Sequence, residues 1–148
     1  MPDENLLELY RQLRLAQDKY TYFLLAAVGA AIGLAITQTQ NTALSWSQIP
    51  LGLAVLCWGI SFIFGCLQLI NTNSALYTNA EKLRVERGIN PMVGNDPQKM
   101  VKANEILSKS FEKSSNRANR NGKWQFRFLI LGALFYISWH ILEMWLIT

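Results

Sequence analysis

The sequence contains few of the side chains that carry chemistry in enzymes and metalloproteins. It has one histidine, His140, and two cysteines, Cys57 and Cys66, in 148 residues. No His and Cys residues have the spacing of a zinc site, and no glycine-rich phosphate loop follows a strand. The two cysteines would lie about 13 Å apart on opposite faces of one helix, too far for a disulfide. We therefore expect a protein that is not an enzyme, with no catalytic residue, no metal site and no cofactor.

Charge is missing from the middle of the chain, where no Asp, Glu, Lys or Arg occurs between Lys19 and Glu81. A soluble domain would scatter charged residues over such a length, because its surface elements face water. Residues 20–37 and 49–70 are instead apolar and long enough to cross a hydrocarbon core of about 30 Å, and residues 124–147 form a third such segment. The sequence therefore predicts an all-α membrane protein with three transmembrane helices.

The N-terminal segment predicts a helix of a different kind. Residues 3–19 mix acidic and basic side chains with apolar residues that recur on one helical face. This pattern differs from that of a cleavable signal peptide and predicts an N-terminal amphipathic helix. We expect this helix to lie in the cytoplasmic membrane interface or to pack on a cytoplasmic domain.

Residues 71–123 predict a two-helix insertion between the second and third spans. The first helix would continue the second span and end near Gly88, because glycine suits a helix C-cap. Asp96 and Pro97 would open the second helix as its N-cap and its first helical residue. The run Asn-Arg-Asn-Gly at residues 119–122 would form a turn or break before the third span.

The distribution of positive charge predicts the orientation. Of the 14 Lys and Arg residues, three precede the first span and eleven lie in the second loop and the start of the third span. The hairpin between the first two spans has none. Because basic residues accumulate on the cytoplasmic side of a membrane, we expect a multi-pass protein of the inner (cytoplasmic) membrane. Its N-terminus and insertion would be cytoplasmic, and its C-terminus would lie outside.

A polar stripe on the third span is the first candidate site. Gly132, Tyr136, His140 and Glu143 recur at helical spacing on one face. An ionisable residue within a span normally faces protein or water rather than lipid. Tyr136, His140 and Glu143 are therefore candidates for a pore lining, a gate or a proton-sensitive site. The alternative is structural: Glu143 reaches the outer headgroups, and His140 forms a hydrogen bond with a neighbouring helix.

A basic face on the predicted cytoplasmic helix is the second candidate site. Six bases fall within about an 80° arc of a helical wheel: Lys99, Lys102, Lys109, Lys113, Arg117 and Arg120. Such a face is commonly solvated or attracted to anionic lipid, at about 1 kcal/mol per base near the surface. The sharper hypothesis is a docking site for a nucleotide-type anionic ligand or an acidic cytoplasmic partner protein.

Small residues in the first two spans predict close helix packing, because small side chains let helix backbones approach in lipid. The candidates are Ala27, Gly29, Ala31, Gly33, Gly59 and Gly65. One three-helix protomer cannot enclose an aqueous path, so our first hypothesis is a homo-oligomeric channel or membrane-disrupting effector gated from the cytoplasm. The second is a non-enzymatic membrane anchor or accessory subunit. A small transporter is a weaker third, because the spans show no inverted repeat and no charged midplane site.

The order of segments resembles that of small membrane effectors of bacterial anti-phage defence, of the SLATT type and the Hailong type. The resembling features are the amphipathic leader of residues 6–19, the tight hairpin of residues 20–70 and the basic helical segment of residues 73–120. In such families a nucleotide signal or a partner activates an oligomer that permeabilises the inner membrane. The resemblance is one of architecture and carries over no functional residue. A third span is not general in SLATT-type proteins.

Overall fold

The computed structural model describes residues 2–40, 46–94 and 96–146, and within them the side chains of residues 8–40, 46–94 and 96–145. The chain forms three long helices, α1 (Pro2–Thr39), α2 (Ile49–Glu86) and α3 (Pro97–Leu146). One 3-10 turn, Trp46–Gln48, precedes α2. Over these residues the structure has no strand, so the predicted all-α class is confirmed.

Each of the three helices is long and apolar enough to cross a membrane. The segments with this length and hydropathy are Glu8–Thr39, Trp46–Glu86 and Pro97–Trp145. The described residues of the three predicted spans lie within these helices. This confirms that the chain has three membrane-spanning candidates. The last predicted residue of the third span, Ile147, falls outside the described residues.

The helices are fewer and longer than the sequence predicts. The leader and the first span are one helix, α1, and the side chains of residues 8–20 are exposed apart from half-buried Asp18. The amphipathic role of the leader stays a prediction. The two helices of the insertion are the C-terminal part of α2 and the N-terminal part of α3 rather than separate elements.

The predicted break at residues 119–122 is wrong, because α3 continues through it. Asn and Gly disfavour a helix interior by up to about 1 kcal/mol each, which is less than tertiary packing can supply. Asn121 is buried, and Gly122 lies so close to α2 that an added Cβ would be 2.8 Å from Oε1 of Gln68. Two residues that look like turn formers in the sequence therefore lie inside a helix, one of them buried and the other in close contact with α2.

The predicted helix ends on either side of the loop are confirmed. Gly88 has a φ of 67°, its N–H donates to the carbonyl of Val85 at 3.0 Å, and the next N–H donates to the carbonyl of Arg84. This is the Schellman arrangement, in which glycine adopts the left-handed conformation at low cost. Across the loop, Oδ1 of Asp96 accepts from the N–H of Gln98 at 3.0 Å, the bond expected of an N-cap.

Packing divides the chain into two compact units. The span unit comprises Met1–Gly65 and Trp124–Thr148, and the hairpin unit comprises Cys66–Lys123. In the span unit, parts of all three helices share one apolar core. Its buried members are Val28, Ala35, Leu51, Ala54, Trp58 and Trp139.

The contact between α2 and α3 in the span unit is close because Gly132 lacks a side chain. The indole of Trp58 lies over Gly132, and an added Cβ would be 2.5 Å from its Nε1 and 3.1 Å from the carbonyl oxygen of Ala54. Nε1 of Trp58 donates to the carbonyl of Leu129 at 3.3 Å. The contacting residues recur every three or four positions, the spacing of knobs-into-holes packing. We call this row the seam: Ala54, Trp58, Ser61 and Gly65 on α2, and Gln125, Leu129, Gly132 and Tyr136 on α3.

The hairpin unit is held by smaller and more polar residues. Its buried side chains are Ala75, Thr78, Val85, Ala118 and Asn121. Oδ1 of Asn104 is also buried and has no hydrogen-bond partner among the described residues. These small side chains bury less apolar surface than the valine, leucine and tryptophan residues of the span core do.

Replacing Gly132 with Ala is expected to destabilise the span unit by about 1–3 kcal/mol, because the added methyl displaces a rigid indole and breaks its hydrogen bond. Gly52→Ala is the matched control, since an added Cβ there has no heavy atom within 4 Å. That control should be neutral or stabilise by up to about 1 kcal/mol through helix propensity. Unfolding of the detergent-purified protein by a denaturing detergent measures both, and equal effects would contradict the packing assigned to Gly132.

Candidate functional site

Two polar residues, Ser61 and Gln125, meet in the seam where α2 packs against α3. We call this pair the polar node. The hydroxyl of Ser61 donates to the backbone carbonyl of Gln125 at 2.7 Å. Both residues are fully enclosed, with a relative exposure of 0%. A hydroxyl within an apolar helix pair is stabilised by such an interhelical bond, worth about 0.6–1.7 kcal/mol in membrane proteins. The node therefore links α2 to α3 through a specific polar contact.

The side-chain amide of Gln125 is the least satisfied group in this node. Its Oε1 and Nε2 are both buried and have no hydrogen-bond partner among the described residues. An amide enclosed in this way destabilises the structure by about 1–3 kcal/mol. Native proteins keep few such groups, so the amide of Gln125 distinguishes this node from the apolar core around it.

Gly65 provides the space that the amide occupies. An added Cβ at residue 65 would lie 2.5 Å from Nε2 of Gln125 and 2.6 Å from Cδ2 of Leu25. Residues of all three helices therefore meet over one glycine, since Leu25 belongs to α1. Any side chain at this position would displace Gln125, Leu25 or a helix backbone.

An aromatic row extends from the seam along α3. The ring of Tyr136 lies 5.7 Å from that of Trp58 and 5.7 Å from that of Trp139, and Trp139 is 6.2 Å from His140. The hydroxyl of Tyr136 donates to Oε1 of Gln38 on α1 at 2.8 Å. Tilted ring contacts of this length contribute about 0.5–1.5 kcal/mol each, so this row ties α3 to both other helices.

The three predicted pore residues have different surroundings. Tyr136 is half-buried and takes part in the row just described, whereas His140 is exposed and Glu143 is half-buried. Within residues 96–145, no ion pair or hydrogen bond joins His140 to Glu143. His140 thus lies on the surface of the chain, inside a segment without Asp, Glu, Lys or Arg from 128 to 142.

The predicted packing residues divide into two groups. Gly65 is buried and in tight contact, and half-buried Ala31 packs against the apolar core. Gly29, Gly33 and Gly59 have no heavy atom within 4 Å of an added Cβ, while Ala27 is half-buried. The close-approach role that small residues suggest therefore applies within this chain to Gly65 rather than to the glycines of α1.

The six predicted bases are all exposed on the hairpin unit. Lys99 pairs with Asp96 at 3.7 Å, and Lys109 pairs with Glu105 at 2.7 Å. Among the described residues no ion pair reaches the other four, Lys102, Lys113, Arg117 and Arg120. These four bases are therefore available to bind an external anion. At Lys99 and Lys109 the paired carboxylate would compete with such an anion.

An apolar cleft of about 600 Å³ opens between α1 and α2 in the span unit. Its only polar lining residues among those described are Thr39 and Gln48. The others are Ala35, Ile36, Ile49, Leu51, Gly52, Val55 and Leu56. The cleft has no charged or titratable group, so its chemistry suits hydrocarbon rather than a polar substrate.

The sequence pointed to neither Ser61 nor Gln125 as a site. Their signal was present in the spacing: small, polar and aromatic residues recur every three or four positions on both helices, a pattern typical of a helix–helix seam. A single glutamine just inside an apolar span beside Trp124 is also unusual, because a buried amide needs partners. Only the structure shows which residue of α2 contacts which residue of α3.

Comparisons with known proteins found no relative of this chain. No protein-family model matches it, and neither the curated proteins nor the solved structures contain a match.

Proposed function

We propose that this protein is a homo-oligomeric channel or membrane-disrupting effector of a bacterial inner membrane. In this proposal the N-terminus and the hairpin unit are cytoplasmic, and the C-terminus lies outside. A cytoplasmic ligand or partner protein controls the oligomer, as in the anti-phage effectors that the segment order resembles. The proposal is supported by two exposed features of the single chain, the side chain of His140 and the free bases of the hairpin unit.

The exposure of His140 carries this proposal. The residue lies on the protomer surface within the apolar third helix, where the surrounding solvent would be lipid. An ionisable side chain facing lipid is strongly disfavoured. A second copy of the chain, or water enclosed by several copies, removes that penalty, and small multi-span proteins assemble most often with closed symmetry.

The free bases of the hairpin unit support control by an anion. Lys102, Lys113, Arg117 and Arg120 lie on one face of α3, and all four are exposed. Copies assembled around an axis would repel one another through these faces, because like charges oppose association. A nucleotide-type anion or an acidic partner protein neutralises that repulsion and would favour assembly.

The function is tested by recording currents from the purified protein in planar bilayers while measuring its oligomeric state. We expect a closed oligomer and discrete currents. The double variant His140→Ala, Glu143→Gln should change conductance, because it removes both ionisable side chains from the proposed path.

Ser138→Ala is the control for that variant, because its hydroxyl bonds only the carbonyl of Leu134 in its own helix. Conductance unchanged in the double variant would remove His140 and Glu143 from the path. A monomer that stays silent and forms a stable hetero-complex would instead support the alternative function, a membrane anchor or accessory subunit.

Neutralising the four free bases to Gln should weaken binding of a fluorescent single-stranded oligonucleotide. Because each phosphate contact contributes a slope of about −0.7 in log K against log salt for single strands, the slope should fall by about 3. The control is the double variant Lys99→Gln, Lys109→Gln, whose bases are already paired. Equal losses per charge in the two variants would contradict the distinction between the four free bases and the two paired ones.

The orientation is tested with an impermeant thiol reagent in a Cys57→Ala, Cys66→Ala background. Gln40→Cys, in the exposed turn after α1, should react in intact spheroplasts, and Lys113→Cys should react only after permeabilisation. Basic residues are retained on the cytoplasmic side, so this order follows from the charge distribution. The reverse pattern of labelling would invert the proposed topology.

A further inference from the structure

We propose that the contact between the Gln125 side chain and Gly65 is a latch, by which we mean a contact that holds α2 and α3 together in the closed channel. Separation of the two helices at the seam would expose this amide to water. The inference rests on the proposed function, because it locates the gate of the proposed channel. That gate lies at the polar node, whereas the sequence pointed to His140 and Glu143.

The first argument is that the closed state contains a destabilising group. Gln125 has no exposed surface, and neither polar atom of its amide has a partner among the described residues. Water or another polar group would satisfy both atoms if the helices separated. The amide therefore lowers the stability of the closed seam relative to any arrangement that hydrates it.

The second argument is that the contacts around the amide hold it in place. Ser61 bonds the backbone carbonyl of Gln125 at 2.7 Å, and Leu25 covers the same glycine from α1. Only a residue without Cβ leaves room for this arrangement, so small shifts of α2 against α3 would either compress the amide or release it. Packed interfaces of this kind change between discrete states rather than deforming continuously.

The third argument is the position of these residues along the chain. Gly65 is the last residue of the span unit before the chain enters the hairpin unit, and Gln125 is the second residue after it returns. These two covalent junctions are the points at which a rearrangement of the hairpin unit would reach the spans. A ligand on the basic face would thus act on helices whose next residues form the latch.

Other polar positions of the span unit fit a gate less well. His140 is already exposed in the protomer, so opening need not change its surroundings. Tyr136 has its partner in Gln38, and the cleft between α1 and α2 has an apolar wall. Among the described side chains, only Gln125 combines complete burial with two polar atoms that have no hydrogen-bond partner there.

The test compares two substitutions with opposite expected signs in the full-length protein reconstituted in vesicles. Gly65→Ala displaces the amide and should open the latch. Gln125→Met keeps the length of the side chain, removes the unpaired amide and should close it. Gly59→Ala is the control, because it makes the same change in the same helix where an added Cβ has no heavy atom within 4 Å.

Two readouts are needed. Hydrogen exchange of backbone amides in residues 58–68 and 121–129 reports the latch, and release of an entrapped dye reports permeation. We expect Gly65→Ala to raise both by about tenfold or more, and Gln125→Met to lower both, since one buried amide changes such an equilibrium by roughly five- to a hundredfold. Gly59→Ala should leave exchange unchanged or slow it, because alanine favours the helix.

Faster exchange in Gln125→Met would overturn the latch, because it would show that the amide stabilises the seam. Unchanged exchange in Gly65→Ala would overturn it as well. Dye release by the wild-type protein that neither variant alters would reject the latch as the gate and leave the proposed function standing. The expected exchange changes without dye release from any variant would support the latch and reject the channel.

Discussion

The close approach of α2 and α3 is the constraint on which the span unit depends. In lipid, apolar side chains gain little by meeting each other, so helices associate through close van der Waals packing and interhelical hydrogen bonds. The Trp58 indole over Gly132 supplies the first, and the bond from Ser61 to the Gln125 carbonyl supplies the second. With these contacts in place, α1 adds Val28 and Ala35 to a core that two helices alone would leave open.

Much of this fold could be predicted from the sequence because it depends on local signals. Three apolar segments, the C-cap at Gly88 and the N-cap at Asp96 follow from hydropathy and from backbone chemistry within a few residues. The continuity of α3 could not, because Gly122 lies against Gln68, more than fifty residues away in α2, and no local pattern shows this contact. The polar node was missed for the same reason: which glycine faces which glutamine depends on the register between helices, which no local pattern encodes.

The sequence Gly-x-x-Gln occurs at residues 65–68 and again at 122–125. In the span unit Gln125 lies over Gly65, and in the hairpin unit Gln68 lies against Gly122. Each helix therefore contributes one glycine and one glutamine, and each glycine gives room to the glutamine of the other helix. Such complementary pairs fix the register of two helices more tightly than aliphatic residues do, because a shift of one residue would place an amide against a side chain.

The two polar regions of the span unit differ in how they can respond to a signal. His140 is exposed on the chain, so in the proposed oligomer its surroundings would be set by other copies or by water. Gln125 is enclosed by its own chain, so its surroundings change only when the helices move. A group that is already exposed can shape the properties of an open path, but it cannot distinguish a closed state from an open one. An enclosed amide without partners differs between those states by its full desolvation penalty, and this difference is what a gate requires.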